Sequence, residues 1–348
     1  MRAALAVLLF AWPLAAAHAE VLCVNPGGTG GCFATIQAAI DAAFNDEIEV
    51  AAGTYPGHLD VHEYAVSGRT VIRGAGPGAT IIQGSIDVNF HASLELEGVT
   101  LDGGGLVVDN ETFLDISDCE ITNTMIGIQG DEPYDVRVTD CAIHDNSTNG
   151  IFVFGDPGDT PPRVTVTRST ISGNGFWGII IDAGGVSLRV DDSTISGNGM
   201  AGIEAGGFEG RLKVRVRRST IAGNGRGIVG DASAPETFVG VRLESSIVAN
   251  STAGPDLIGL DARLVSRGFN LIETVDPGTP LRAKSSDILG VDPALGPLQN
   301  NGGPTETHAL PPGSPALGVI TRTARCREPD QRGVPRAVPC DIGAFEAP

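Results

Sequence analysis

Residues 168–174 read Arg-Ser-Thr-Ile-Ser-Gly-Asn, and close copies recur at 192–198, Asp-Ser-Thr-Ile-Ser-Gly-Asn, and at 218–224, Arg-Ser-Thr-Ile-Ala-Gly-Asn. Degenerate copies extend the series, so that an isoleucine recurs every 22 to 28 residues, at Ile121, Ile143, Ile171, Ile195, Ile221 and Ile247. A repeat of this length is typical of a solenoid, in which each unit packs on its two neighbours and loop insertions vary the period.

Each unit also opens with alternating apolar and polar residues, which predicts a strand with one buried face. The alternating apolar pairs are Val136 and Val138, Val164 and Val166, Leu188 and Val190, Val214 and Val216, and Val241 and Leu243. A Gly-Ile pair later in the unit marks a further strand, and no unit holds an amphipathic helix of ten or more residues. The sequence therefore predicts parallel coils stacked about 4.8 Å apart.

Asparagine stands three residues after five of the repeat isoleucines, at Asn146, Asn174, Asn198, Asn224 and Asn250. Stacked asparagines in turns can hydrogen-bond to one another along the solenoid axis, so these residues predict a structural ladder. Cys119 and Cys141 also occupy equivalent positions and should be stacked neighbours. They could form a disulfide, but in-register strands suit that bond poorly, which favours two small buried side chains.

The two ends of the solenoid need covering. Residues 35–43 have apolar residues at helical spacing and can cap the first coil. The grouping of the other cysteines suggests two local disulfides, Cys23 with Cys32 and Cys326 with Cys340.

The N-terminal stretch, with Ile36-Gln37-Ala38-Ala39-Ile40-Asp41-Ala42-Ala43 and Gly53-Thr54-Tyr55, resembles the entry to the pectin lyase-like β-helix superfamily. Together with the repeats, the resemblance covers most of residues 23 to 275. It implies an all-β, right-handed parallel β-helix, here of about ten coils with an N-terminal capping helix. Many members of that superfamily act on polysaccharides at the outer strand surface, so the resemblance implies that any site here lies on that surface.

The C-terminal part resembles the corresponding region of bacterial surface β-helix proteins called choice-of-anchor Q domain proteins. The resemblance rests on phrases such as Asn301-Gly302-Gly303-Pro304-Thr305 and Cys340-Asp341-Ile342-Gly343-Ala344-Phe345-Glu346. It brings no known catalytic residues. We expect a signal peptide at 1–19, an N-terminal cap and first coil at 20–60, β-helix repeats at 61–275, and a C-terminal capping region at 276–348.

The signal peptide is predicted from Arg2, an apolar run over residues 3–17, and a cleavage site near Ala19. Release from the cell, surface residence or a periplasmic location follows, with no membrane span in the mature chain. The net charge of −19 argues against nucleic acid as a partner, since phosphate binding needs basic patches. We expect a monomer whose partner is a polysaccharide or a cell-surface glycan.

Two stripes of polar residues are candidates for ligand contact. Alignment of the first strands places Arg137, Thr165, Arg189, Arg215 and Arg242 in one outward row, with Arg163 and Lys213 beside it. Such rows could bind uronate carboxylates, although outward charge is also ordinary on an exposed sheet. Trp177 could stack on a sugar ring, or it could simply cover a coil edge.

The second stripe is acidic and contains Asp131, Asp182 and Asp231, with Glu204 nearby. Asp182 and Glu204 are the best candidate catalytic pair, because glycosidases use two carboxylates about 5 to 9 Å apart. The sequence has no phosphate-binding loop, no Gly-x-Ser-x-Gly and no polygalacturonase-like motif series, and its histidines lack metal-ligand spacing. We therefore expect no cofactor and no metal.

These patterns favour a non-catalytic extracytoplasmic β-helix that presents a repetitive surface to carbohydrate or to a cell surface. The alternative is a polysaccharide lyase or glycoside hydrolase that acts on an acidic glycan. An enzyme needs a cluster that breaks the repeat, whereas a binding surface needs only regularity.

Overall fold

The computed structural model describes residues 21–43, 46–62, 69–155, 162–207, 210–234 and 236–348. The predicted signal peptide lies outside the described residues, and so does most of the loop that follows Phe154. Apart from one α-helix and one short 3-10 helix, the regular secondary structure of the described residues consists of short strands.

The strands repeat in groups of three, one group to each coil. The N-terminal half contains β1 Val21–Val24, β2 Glu47–Val50, β3 Gly53–Pro56, β4 Leu59–Val61, β5 Arg69–Arg73, β6 Thr80–Gln83, β7 Ile86–Val88, β8 Ser93–Glu97, β9 Thr100–Asp102, β10 Leu106–Val108, β11 Phe113–Ser117, β12 Glu120–Thr122, β13 Ile126–Asp131, β14 Asp135–Thr139, β15 Ala142–His144, β16 Asn149–Gly155, β17 Arg163–Thr167, β18 Thr170–Ser172 and β19 Trp177–Ala183. The C-terminal half contains β20 Ser187–Asp191, β21 Thr194–Ser196, β22 Ala201–Gly206, β23 Gly210–Arg217, β24 Thr220–Ala222, β25 Ile228–Asp231, β26 Thr237–Glu244, β27 Ile247–Ala249, β28 Leu257–Leu260, β29 Arg263–Ser266, β30 Leu271–Ile272, β31 Leu281–Arg282, β32 Ile288–Leu289, β33 Leu298–Gln299 and β34 Thr307–His308.

Successive strands of a coil enter three different parallel sheets. The first sheet has the order β1-β2-β5-β8-β11-β14-β17-β20-β23-β26-β29-β31, the second runs from β3 through β6 to β32, and the third from β4 through β7 to β28. Neighbours within each sheet are one coil apart in sequence. This topology confirms the predicted all-β, right-handed parallel β-helix of about ten coils.

The core is a narrow column of stacked aliphatic side chains. Ile171, Ile195 and Ile221 lie in register on adjacent strands of the second sheet, and each is fully buried. The identical spacing of the repeats therefore produces like-on-like packing, which excludes water from the interior of every coil.

A helix and a disulfide cover the N-terminal end, as predicted. Helix α1 spans Ile36–Ala42, and its N-terminus is capped by the Thr35 hydroxyl, which accepts a hydrogen bond from the Ala38 amide at 3.2 Å. A Cys23–Cys32 disulfide closes the loop before the helix. The helix buries Ile36, Ala39 and Ile40 against the first coil.

The asparagine ladder is continuous over four turns. The side-chain amide of Asn146 donates to the Oδ1 atom of Asn174 at 2.9 Å, Asn174 donates to Asn198 at 2.8 Å, and Asn198 donates to Asn224 at 2.8 Å. All four side chains are buried. Asn250 is different: it is exposed and outside the ladder, so its predicted membership is wrong.

A one-residue deletion in the repeat explains the position of Asn250. Ile247 aligns with Thr220 rather than with the preceding isoleucine, and Ala249 aligns with Ala222. Asn250 therefore takes the place of Gly223 and adopts the same left-handed backbone conformation, with φ of 56°. Asparagine tolerates that conformation better than most residues do.

The thiols of Cys119 and Cys141 are free and buried, in agreement with the preferred interpretation. The Cys141 thiol donates to the Thr139 carbonyl oxygen at 3.1 Å, and burial raises the pKa of this thiol well above its usual value. The next coils carry serines at the same place, so the cysteines begin a column that continues with Ser169 and Ser193.

From about residue 290 the chain leaves the coils and runs along the outer face of the second sheet. A hairpin of β33 and β34 and a second disulfide, Cys326–Cys340, belong to this segment. Three outward threonines of the sheet hydrogen-bond to it: Thr170 to the Glu306 carbonyl, Thr194 to the Gln331 side chain, and Thr220 to the Ala344 amide. The segment therefore covers one side of the solenoid, and its predicted role as a cap of the C-terminal end stays a prediction.

Candidate functional site

The outer face of the first sheet carries the predicted row of cations. The register pairs Arg137 with Thr165, Thr165 with Arg189, Arg189 with Arg215, and Arg215 with Arg242. Adjacent positions in such a row are about 4.8 Å apart. Alternation along each strand directs their neighbours Val164, Leu188 and Val214 inward, so the cations face solvent.

A second row lies two residues earlier on the same strands and faces the same way. Arg163 pairs with Ser187, Ser187 with Lys213, Lys213 with Gly240, and Gly240 with Arg263. The structure thus places Arg163 and Lys213 beside the first row. Arg263 extends this second row by two coils.

The two rows line a groove of about 980 Å³ on the first sheet, here called the basic groove. Among the described residues, Asp191 is the one carboxylate that lines it. Nine cationic side chains line it as well: Arg137, Arg163, Arg189, Arg211, Lys213, Arg215, Arg242, Arg263 and Arg267. The whole chain has 23 lysines and arginines against 42 acidic residues, so the groove concentrates positive charge on an acidic protein.

Asp191 offsets only part of the positive charge of the groove, because Arg217 and the groove residue Arg189 share its single negative charge. Arg217 donates to both of its carboxylate oxygens at 2.6 Å, and Arg189 hydrogen-bonds to one of them. Burial raises the pKa of Asp191, but the hydrogen bonds and charges of Arg217 and Arg189 outweigh burial and hold the pKa below its usual value. The Asp191 carboxylate is therefore ionised, and both of its oxygens accept hydrogen bonds from arginine side chains.

Six of the groove cations have no ion-pair partner within the described part of the chain. They are Arg163, Arg211, Lys213, Arg242, Arg263 and Arg267. Positive charges are close together around Arg215. Burial lowers the pKa of Arg215, and the charges of Arg217 and Arg189 lower it further. Unpaired guanidinium groups at regular spacing can bind carboxylate or sulfate groups bidentately.

Sequence reasoning missed four groove residues, although two signals were available. Arg211 begins the alternating series that continues with Lys213 and Arg215, and every second residue of a strand faces the same side. The strand register then adds Phe238 to the surface. Phe238 pairs with Arg211, and the guanidinium carbon of Arg211 lies 5.7 Å from the centroid of the Phe238 ring. Arg263 and Arg267 follow from the same strand alignment one coil later.

Trp177 lies on β19 in the third sheet, so the structure does not bring it together with the arginines. Its side chain is half-buried, and its indole N–H donates to the Oε2 atom of Glu204 at 2.7 Å. Phe176 contacts it edge-on at 5.8 Å between ring centroids. Trp177 and the cations therefore lie on different faces of the solenoid, and a sugar-binding role for Trp177 stays a prediction.

Asp182 and Glu204 lie on neighbouring strands of the third sheet. Asp182 aligns with Gly206 and Glu204 with Ile180, so the two carboxylates are offset by two residues on the same side. The spacing of strands and residues puts their Cα atoms about 8 Å apart. The catalytic role of the pair stays a prediction.

The other acidic residues do not form a continuous stripe. Phe154 separates Asp131 from Asp182 in register, and Gly206 separates Asp182 from the position of Asp231. Among the described residues, no three His, Cys, Asp or Glu side chains are grouped so that they could hold a metal ion. In the same part of the chain, no helix is long and apolar enough to cross a membrane.

The fold and the repeats define a class of protein. Residues 79–187 and 104–267 match the model of the right handed β-helix region, and the two matches together span more than half of the chain. The chain belongs to this right-handed β-helix family. No curated protein sequence matches the chain.

Solved structures with the same architecture include enzymes of polysaccharide chemistry. The A-module of the mannuronan C-5 epimerase AlgE4 from Azotobacter vinelandii is 15% identical, with a TM-score of 0.44, over 73% of this chain and 88% of its own. Pectate lyase Pel9A is 14% identical, with a TM-score of 0.47, over 94% of this chain and 96% of its own. At these values the likeness concerns the fold alone.

Proposed function

We propose that the protein is an exported, non-catalytic β-helix protein that binds an anionic polysaccharide lengthwise in the basic groove. The observation that carries the proposal is a set of six cations on one face of a chain with a net charge of −19, none of which has an ion-pair partner among the described residues. Like charges in register on neighbouring strands oppose folding, so an external anion is the partner that such an arrangement suits.

The shape of the groove favours a polymer over a small anion. Its cations recur coil after coil along the solenoid axis, and each successive guanidinium can meet another acidic unit of a chain laid along that axis. Uronic acid units offer one carboxylate each, which matches the one cation per coil that Arg189, Arg215 and Arg242 provide in the first row. The two disulfides are compatible with an extracellular or periplasmic location.

The test measures binding of polygalacturonate and alginate to the purified protein by titration calorimetry, with dextran as an uncharged polymer. A double charge reversal, Arg189→Glu with Arg215→Glu, should lower the affinity for the polyuronates by at least about tenfold, which corresponds to about 1.4 kcal/mol. The matched control is Arg226→Glu with Arg327→Glu, which makes the same charge change at two exposed arginines outside the groove.

Unchanged affinity in the groove variant, or equal loss in the control, would overturn the proposal. The competing function, cleavage of an acidic glycan, is supported by the position of Asp182 and Glu204 on the same side of neighbouring strands and by the indole N–H that positions Glu204. Overnight incubation with the same polymers distinguishes the two. Reducing ends or unsaturated products that disappear in Asp182→Asn or Glu204→Gln would establish an enzyme.

A further inference from the structure

A serine and a histidine from distant parts of the chain meet on the outer face of the second sheet. The Ser196 Oγ atom lies 2.8 Å from the Nε2 atom of His308, and the Nδ1 atom of His308 lies 2.7 Å from the carbonyl oxygen of Gly296. A carbonyl oxygen only accepts hydrogen bonds, so Nδ1 carries the proton of the neutral ring. Nε2 therefore presents its lone pair to the Ser196 hydroxyl.

The surroundings keep this imidazole neutral. Burial lowers the pKa of His308, and the opposing effects of the Gly296 carbonyl and the Glu306 charge do not restore it. A neutral imidazole with its acceptor nitrogen on a serine hydroxyl is the arrangement of a general base and its nucleophile.

The hairpin that carries His308 is fixed without help from this hydrogen bond. The Thr170 hydroxyl donates to the Glu306 carbonyl at 2.6 Å, and the Gln331 side-chain amide donates to the Thr305 hydroxyl at 2.9 Å. Ser196 in turn belongs to β21, inside a rigid stack of coils. Ser196 and His308 are thus each held in position by contacts other than their own hydrogen bond, as a pre-organised pair requires.

Ser196 opens onto a groove of about 650 Å³ between the second sheet and the hairpin, here called the hairpin groove. His144, Ser172 and Ser196 line it from three successive coils, in register. The Ser172 hydroxyl has no hydrogen-bond partner among the described residues, and Ser172 pairs with Ser196 on the adjacent strand, about 4.8 Å away along the solenoid axis. It is available as a donor to a reacting oxygen.

We propose that Ser196 and His308 form a nucleophilic site that hydrolyses small carboxylic esters bound in the hairpin groove. This activity goes beyond polysaccharide binding and is independent of it, because the hairpin groove and the basic groove lie on different sheets. The acyl group must be small, since Ser196 is only 4% exposed at the bottom of the groove.

The reaction needs only the ester and water. His308 Nε2 accepts the Ser196 proton while Oγ bonds to the ester carbonyl carbon, and the Ser172 hydroxyl donates to the oxygen that becomes negative. The bond to the alcohol oxygen then breaks, and that oxygen takes the proton from His308. Water attacks the acyl-serine, gives a proton to His308, and the acid leaves as Ser196 recovers the proton.

The test treats the full-length protein with a fluorophosphonate probe, locates the label by peptide mass spectrometry, and measures hydrolysis of 4-nitrophenyl acetate. We expect labelling on Ser196 and a loss of hydrolysis of more than about 100-fold in Ser196→Ala and in His308→Gln. Ser117→Ala, on the first sheet and outside both grooves, is the serine control and should retain full activity.

Labelling of the unmodified protein decides the proposal even if a variant fails to fold. An unlabelled Ser196 with hydrolysis at the buffer rate would overturn it, and the pair would then be a hydrogen bond that ties the hairpin to the sheet. The basic-groove variants should hydrolyse the ester normally, so failure of either proposal leaves the other testable.

Discussion

At the scale of single residues, Arg217 and Arg242 lie on adjacent strands of the first sheet and differ in their partners. Arg217 forms a two-atom contact with Asp191, and both side chains are largely buried. Arg242 stacks on Arg215 and has no ion-pair partner in the described part of the chain. Arg217 therefore stabilises the fold, whereas the guanidinium group of Arg242 is available to bind a ligand.

Glutamine substitutions at these two positions should therefore act in opposite ways on stability. Arg217→Gln leaves the Asp191 carboxylate short of a partner and should lower the free energy of unfolding by about 1–2 kcal/mol. Arg242→Gln relieves repulsion from Arg215 and should leave stability unchanged or raise it by up to about 0.5 kcal/mol. Urea denaturation measures both. A destabilised Arg242→Gln would show that this arginine has a structural role.

His144 in the hairpin groove should titrate at a raised pH. Burial lowers the pKa of His144, but hydrogen bonds and charge from Asp145 and Glu120 outweigh burial, so the net pKa is raised. The stabilisation by the charged ring is complete below about pH 6.5 and is lost as the pH rises through the folded-state pKa.

NMR titration of the His144 ring protons measures this effect directly. We expect a midpoint above about 6.5, which Glu120→Gln should bring down because one of the two carboxylates is removed. A midpoint at or below that of a free histidine would contradict the hydrogen-bonded arrangement.

At the scale of the elements, the asparagine ladder connects neighbouring turns through buried amides. In Asn198, the Oδ1 atom accepts from both the backbone and the side chain of Asn174, and the side-chain amide donates to Asn224 and to the Ile171 carbonyl. Removal of this side chain leaves four buried groups without their partner. Each such group costs about 1–3 kcal/mol at most, before the structure relaxes.

Asn198→Gly should accordingly lower the free energy of unfolding by about 2–4 kcal/mol. Asn250→Gly is the matched substitution, and it should cost less than about 1 kcal/mol because glycine suits the left-handed conformation there. Thermal unfolding of the two variants measures the contrast. Similar losses at both positions would show that the ladder adds nothing beyond the turn conformation.

The same elements show how far the sequence predicts this molecule. The repeat period, the alternation of apolar and polar residues and the register of the arginines are predictable from the sequence, because each repeat copies its neighbour. Arg189 and Arg215, for example, align when residues are counted from one repeat to the next. The sequence predicts the wrong position for Asn250, because a single deleted residue before Ile247 shifts the strand register by one. The residues on either side of the deletion do not reveal this shift. The meeting of Ser196 with His308 was not predictable, since 112 residues separate them and no local pattern records how the C-terminal segment runs.

At the scale of the whole molecule, positive and negative charge are separated. The basic groove carries nine of the cations, while the net charge of the chain is −19. An approaching polyanion is repelled by the body of the protein at long range and attracted by the groove at contact. The balance between these two forces depends on the Debye length, which is about 30 Å at 0.01 M salt, 10 Å at 0.1 M and 3 Å at 1 M.

Polyuronate affinity should consequently be greatest at intermediate salt. Raising the salt from about 0.01 M to 0.1 M screens the long-range repulsion but leaves the contacts within the groove, and a further rise to about 1 M should weaken them by at least tenfold. Titrations at these three concentrations test the expectation, with the double variant Arg189→Glu and Arg215→Glu as the comparison. Affinity that falls steadily from the lowest salt would mean that the groove dominates at every distance, and affinity indifferent to salt would place the ligand elsewhere on the solenoid.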